Sequence, residues 1–134
     1  MALFSLFPLY CLIAAAALVY FPYGFVAAGR ITVGLDLAAP RAMFDKLPPY
    51  AQRATWAHQN AWESFILFGA AALMACITQQ DTDWVQGWLL AHLVARFLYA
   101  IFYIANIPIL RSASWAVGTA ATGIIMLACV GLGR

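Results

Sequence analysis

Charge is what this sequence has least of. Only 9% of its 134 residues are Asp, Glu, Lys or Arg, against roughly 25% in soluble domains. That shortage excludes an ordinary water-soluble globule. The net charge of +2 is too small for a nucleic-acid surface, and the basic residues other than Arg96 lie in connectors and toward helix ends, so no nucleic-acid partner is expected. Cysteine is sparse too: Cys11, Cys76 and Cys129 each stand alone in an apolar run. Without a CxxC pair or metal-ligand spacing they read as small buried hydrophobes, and no metal is expected. No Lys or Arg precedes Arg30, so the first apolar run lacks the basic start of a signal peptide. No internal repeat, low-complexity tail or appended soluble domain is expected, and residues 1–134 read as one domain.

What the chain does have is hydrophobic length. Hydrophobic residues make up 66% of it, and four apolar runs cover about residues 3–28, 48–78, 84–104 and 114–132. Each can cross roughly 30 Å of hydrocarbon at about 1.5 Å per residue. The expected fold is therefore all-α, an integral membrane four-helix bundle in contact with lipid. The first connector, Gly29 to Leu47, is polar and closes on Pro48-Pro49, which suits a helix start. The second, from Gln79 to Asp83, is acidic, and Asp81, Thr82 or Asp83 can cap the third helix. Asn106-Ile107-Pro108 breaks the third helix, and the fourth is rich in Gly, Ala, Ser and Thr, which allow close approach in lipid.

Charge also orients the chain. Arg30, Arg41, Lys46 and Arg53 flank the first connector, Arg111 lies in the third, and the second has no basic residue. The positive-inside rule places the first and third connectors in the cytoplasm and both termini outside, with Arg134 a small count against it. Trp84 and Trp88 then fall at the outer interface.

One stretch breaks the apolar pattern. Residues 52–63 contain an Arg, a His, an Asn, two Gln and a Glu, and run without Gly or Pro into an apolar span. At about 100° per residue, Arg53, Trp56, Asn60, Glu63 and Leu67 lie near one stripe. On the third helix Arg96, Tyr99, Tyr103 and Asn106 share a face that leads toward Arg111. A charge in mid-membrane costs at least about 2.5–3.5 kcal/mol, so Glu63 and Arg96 are expected to face the bundle interior as partners. A helix-gluing ion pair is the plainer reading. It leaves Arg53, Arg111, two Tyr, two Asn and a Ser unexplained, and that excess of donors suits a pocket for an anionic polar ligand. A third reading couples Glu63 to protons or cations in a small transporter. His58 lies off the stripe and reads as structural, and Trp56 and Trp62 as interfacial or packing residues.

These residues, in this order, resemble the MAPEG family, the membrane-associated proteins in eicosanoid and glutathione metabolism. The matching segments are Arg53-x-x-x-Ala57-His58-x-Asn60-x-x-Glu63, then Arg96-x-x-Tyr99-x-x-x-Tyr103 and Asn106-x-Pro108-x-x-Arg111-Ser112. The resemblance, to a bacterial-type microsomal glutathione transferase, implies a homotrimer in a bacterial inner membrane with glutathione as cosubstrate, bound between subunits at the cytoplasmic side. It implies that Asn60 and Glu63 hold the tripeptide's polar ends, that Arg96, Tyr99 and Tyr103 line the site, and that Arg30 and Arg53 bind carboxylates. Arg111 matches the arginine that stabilises the glutathione thiolate, and Ser112 follows it. A thiol of pKa about 8.5 is mostly protonated at neutral pH, and a nearby cation favours the nucleophilic thiolate. The second substrate implied is an apolar electrophile or lipid hydroperoxide arriving from the bilayer. The chain departs from several catalytic relatives at Thr55, Trp56 and Gln59, where they carry arginines, and at Tyr99, where some carry His. The family also includes non-catalytic members that bind lipids or serve as accessory subunits of another membrane protein.

Overall fold

The computed structural model describes residues 5–132. Four long helices account for most of it: α1 Phe7–Thr32, α2 Pro49–Ile77, α3 Asp83–Ile104 and α4 Pro108–Cys129. A short 3-10 helix, Pro40–Lys46, lies in the connector between α1 and α2. All four long helices are apolar and long enough to cross a membrane, and no strand occurs among the described residues. Residues 3 and 4 of the expected first span, and Arg134, lie outside the described residues.

The helices pack chiefly as two pairs, α1 with α2 and α3 with α4. Small residues bring them together. The buried face of α2 is a stripe of Ala51, Ala54, Ala57, Ala71, Ala72 and Ala75, interrupted by Phe68. Phe68, Leu89 and Ile125 are fully buried and fill the core between these small side chains. Cys11 and Cys129 belong to the same cluster and Cys76 is half-buried, all three as free thiols. Large apolar residues such as Ile13, Ile66, Leu67 and Val94 point outward, the arrangement a lipid environment permits because it removes the penalty for exposing them.

Two features shift residues that matter for function. α1 runs on to Thr32, so Gly29 and Arg30 are helical and not part of a loop. Gly29 sits where α1 crosses α2: a Cβ there would collide with the Cβ of Ala51. α4 begins at Pro108, six residues before the expected start at Ser114. Its first turn therefore carries Arg111 and Ser112, which the sequence placed in a connector. The reason is a tight reversal. Asn106 adopts a left-handed conformation (φ 60°), and the Ile107 N–H donates back to the Phe102 carbonyl at 2.8 Å. Asn tolerates that conformation better than most residues, and Pro108 supplies a preset first turn. At the other turn the cap is Thr82, whose hydroxyl accepts from the Val85 N–H at 3.3 Å.

The crossing at Gly29 makes a direct prediction. Gly29→Val should separate α1 from α2 and lower stability by about 1–3 kcal/mol, the usual cost of overpacking. Thermal denaturation in detergent would show it as a clear fall in Tm, whereas Gly24→Ala, where a Cβ meets nothing within 4 Å, should leave Tm nearly unchanged.

Candidate functional site

The site is built from the first half of α2, the end of α3 and the start of α4. Its anchor is Arg96, mid-span on α3 and only 7% exposed. One Arg96 nitrogen, Nη2, donates to Asn60 Oδ1 at 2.8 Å. Asn60 in turn donates through Nδ2 to Glu63 Oε2 at 3.1 Å. The guanidinium also lies over the Tyr99 ring, 4.1 Å from its centroid, a geometry that favours a cation. Room for the arginine stem comes from Gly118 on α4, where a Cβ would approach Arg96 Cδ at 3.1 Å.

This corrects the expected Glu63–Arg96 ion pair. Arg96 faces the interior but Glu63 is exposed on the outer surface of the chain, and Asn60 stands between them as a relay. Helix geometry explains the difference. The buried face of α2 is set by its alanine stripe, and Glu63 is about 240° round from Ala57 at 100° per residue. Sequence spacing put Asn60 and Glu63 on one stripe, but it could not say that the stripe faces out.

Asn60, Tyr99, Tyr103, Arg111, Ser112 and Trp115 together line an open pocket of about 260 Å³. Arg111 lies over the Tyr103 ring at 4.7 Å, and Tyr103 packs edge-on against Tyr99 at 5.6 Å. Beyond that stacking, Arg111 has no hydrogen-bond or ionic partner among the described residues. Its donors are oriented by an aromatic face and left available. Next to this pocket runs an apolar groove of about 340 Å³ between α2 and α4, lined by Glu63, Ser64, Leu67, Thr119, Thr122, Gly123 and Met126. Asn60 and Trp115 border both spaces. A polar pocket holding the Arg111 cation thus adjoins an apolar groove, with Asn60 and Trp115 as the shared wall.

The remaining candidates lie elsewhere. Arg53 donates through Nε to the Ile104 carbonyl at 3.0 Å, where it satisfies the open end of α3. Trp56 packs at a tilt between Phe44 at 5.6 Å and Tyr103 at 6.4 Å, so it buttresses the ring that carries Arg111. Arg30 lines a separate cavity of about 640 Å³ with Tyr23, Arg41, Thr55, His58, Gln59 and Trp62. That cavity shares no lining residue with the Arg111 pocket.

Three participants escaped the sequence reading. His58 read as structural, yet it borders the Arg30 cavity. Its Nδ1 lies 2.7 Å from the Val19 carbonyl, beside Pro22, which breaks the hydrogen-bond ladder of α1. A carbonyl only accepts, so Nδ1 carries the proton and the other ring nitrogen of the neutral ring is an acceptor. Trp115 stands one turn beyond Arg111, and that spacing was its only signal. His92, one turn before Arg96, is buried and stacked on Phe68 with ring centroids 3.8 Å apart.

Among the described residues no group of three or more His, Cys, Asp or Glu is placed to hold a metal. Comparison with curated proteins and with solved structures yields no match. The model of the MAPEG family matches residues 7–131, nearly the whole chain, and the chain belongs to that family.

The relay predicts an ordering of variants. Asn60→Ala leaves the buried Arg96 donor without its side-chain acceptor and should cost about 1–3 kcal/mol. Glu63→Gln, at an exposed position, should cost less. Equal Tm losses for the two in detergent would contradict the geometry.

Proposed function

We propose that this member of the MAPEG family is a membrane-embedded, glutathione-dependent transferase or peroxidase acting on apolar electrophiles or lipid hydroperoxides. One observation carries the reading: the Arg111 guanidinium lines a polar pocket that shares Asn60 and Trp115 with the apolar groove between α2 and α4. The two substrates differ in the same way. A charged, water-soluble thiol needs donors and hydroxyls, and a lipid-borne electrophile needs an apolar approach from the bilayer.

In this reading Arg111 donates to the sulfur and stabilises the thiolate, with the Ser112 hydroxyl beside it. Tyr103 holds Arg111 from below, and Tyr99 and Asn60 contribute a hydroxyl and an amide to the tripeptide. The thiolate attacks the electrophilic carbon, forming the sulfur–carbon bond as the leaving group takes the displaced electron pair. With a hydroperoxide the thiolate attacks the terminal oxygen and the O–O bond breaks; the alkoxide takes a proton and leaves as the alcohol, and a second glutathione reduces the resulting sulfenic acid, giving the disulfide and water.

The resemblance implies a homotrimer, and two features support packing against a further copy of the chain. An exposed carboxylate on a span is costly in lipid, and among the described residues the only side-chain hydrogen-bond partner of Glu63 is Asn60. Arg30 opens on a cavity distinct from that of Arg111. A second copy packed against α2 would cover Glu63 and bring one subunit's Arg30 and His58 toward its neighbour's Arg111, so a tripeptide bound there touches two chains. The positive-inside pattern of Arg30, Arg41, Lys46, Arg53 and Arg111 puts this site at the cytoplasmic face, with both termini outside. A bacterial inner membrane is the location this reading expects.

A non-catalytic role, binding lipid or assisting another membrane protein, has one observation in its favour. Arg53 is committed to the Ile104 carbonyl, and Trp56 presents an indole to Tyr103, so α2 offers no free cation to the Arg111 pocket.

Purified protein should conjugate glutathione to a generic electrophile such as a halodinitrobenzene. Arg111→Ala should lower kcat by about 100-fold or more, the scale of losing a principal anion-stabilising donor. Titration calorimetry should show glutathione binding weakened by Tyr103→Ala, which frees Arg111 from its platform. No turnover by the wild type, or an unimpaired Arg111→Ala variant, would favour the non-catalytic role.

A further inference from the structure

The relay to Asn60 uses one end of Arg96. The other terminal nitrogen, Nη1, is buried and has no acceptor among the described residues. A buried donor left unpaired costs about 1–3 kcal/mol, and more when charged, so its surroundings should supply a partner. Arg96 borders a narrow, partly open cavity of about 20 Å³ lined by residues of α1, α2 and α3. A water molecule needs at least roughly 10–15 Å³ measured this way, and two to four polar partners. The polar side chains on the wall are Ser64, His92, Arg96 and Tyr99, among apolar residues such as Ala57 and Val19.

The wall also has the right balance of donors and acceptors. His92 Nδ1 lies 3.0 Å from the Gly118 carbonyl and 3.1 Å from the Thr122 hydroxyl, which itself donates to that carbonyl; with the hydroxyl proton so used Nδ1 carries the ring proton, which leaves Nε2 as an acceptor in the neutral ring. The Ser64 hydroxyl has no protein partner among the described residues. We propose that this cavity is a binding site for one buried water molecule. The water accepts from Arg96 Nη1 and donates to His92 Nε2 and Ser64 Oγ. A halide would suit the guanidinium but would meet the lone pair of His92 Nε2, which disfavours it.

With the water in place a continuous chain runs from the Gly118 carbonyl on α4 through His92, the water, Arg96 and Asn60 to Glu63. It crosses the bundle behind the pocket wall. Arg96 borders this cavity but neither the Arg111 pocket nor the apolar groove. Its role is then that of a positioning residue, holding Asn60 and through it Glu63 at the mouth of the site. The water itself is independent of the glutathione reading, and only this positioning role rests on it.

Crystals of the wild-type protein grown in lipidic mesophase, at a resolution that shows ordered water, should reveal one peak within hydrogen-bond reach of Arg96 Nη1 and His92 Nε2. Crystals soaked in bromide should give no anomalous signal there. The peak should persist in Arg111→Ala, which removes the proposed chemistry and so separates the two ideas. Ser64→Ala should weaken glutathione binding about threefold to tenfold by loosening Arg96, while Ser64→Thr, which keeps the hydroxyl, should bind as the wild type does. A cavity without a peak, or one with a bromide signal, would overturn the water site whether or not glutathione binds. Equal affinities in Ser64→Ala and wild type would overturn the positioning role.

Discussion

A guanidinium buried within a membrane span sets the terms for everything around it. Arg96 cannot be left to itself in a low-dielectric interior, where a charge keeps its place only if its hydrogen bonds and stacking partners are supplied by the protein. Its neighbours answer that need from three helices: Asn60 from α2, Tyr99 from its own α3, and Gly118 from α4, which stays small to admit the stem. The polar part of α2 is therefore tied to the middle of α3. That tie brings Asn60 to the wall of the pocket where Arg111 sits.

The rest of the bundle makes this arrangement possible at low cost. The alanine face of α2 and the glycine at its crossing with α1 let the helices approach closely. In lipid, close packing and internal polar contacts are the principal forces that hold helices together. The reversal at Asn106 and Pro108 is as consequential as any side chain in the pocket. By starting α4 at once, it carries Arg111 back over Tyr103 and so gives the cation an aromatic seat and a free set of donors.

Much of this was legible in the sequence. The scarcity of charge and four long apolar runs are enough for an all-helical membrane bundle, because hydrocarbon admits few other ways to satisfy a backbone. The spacing of Tyr99, Tyr103 and Arg111 identified side chains that do share a pocket with Asn60 and Ser112. Other assignments failed for identifiable reasons. Periodicity reports the angle between residues of one helix and says nothing of how that helix is turned toward its neighbours, which is why Glu63 was expected inside. A polar loop and a helical first turn look alike when an Asn-x-Pro break precedes them, so Arg111 and Ser112 were placed in a connector. His58, although part of the matched segment on the second helix, lay off its polar stripe, and His92 carried no pattern; each acquires its role from a backbone carbonyl on another helix.

The sequence alone determined that the chain spans a membrane, how many times it does so, and which few polar residues had to find partners there, because burial of charge in lipid is prohibitive whatever the fold. Only the tertiary structure decided which partners they found. A hydrogen bond depends on distances of tenths of an ångström between helices far apart in the chain, and those are set by packing. That is how Arg96 came to hold Asn60 and not Glu63, and how Arg111 came to rest on Tyr103 with its donors free.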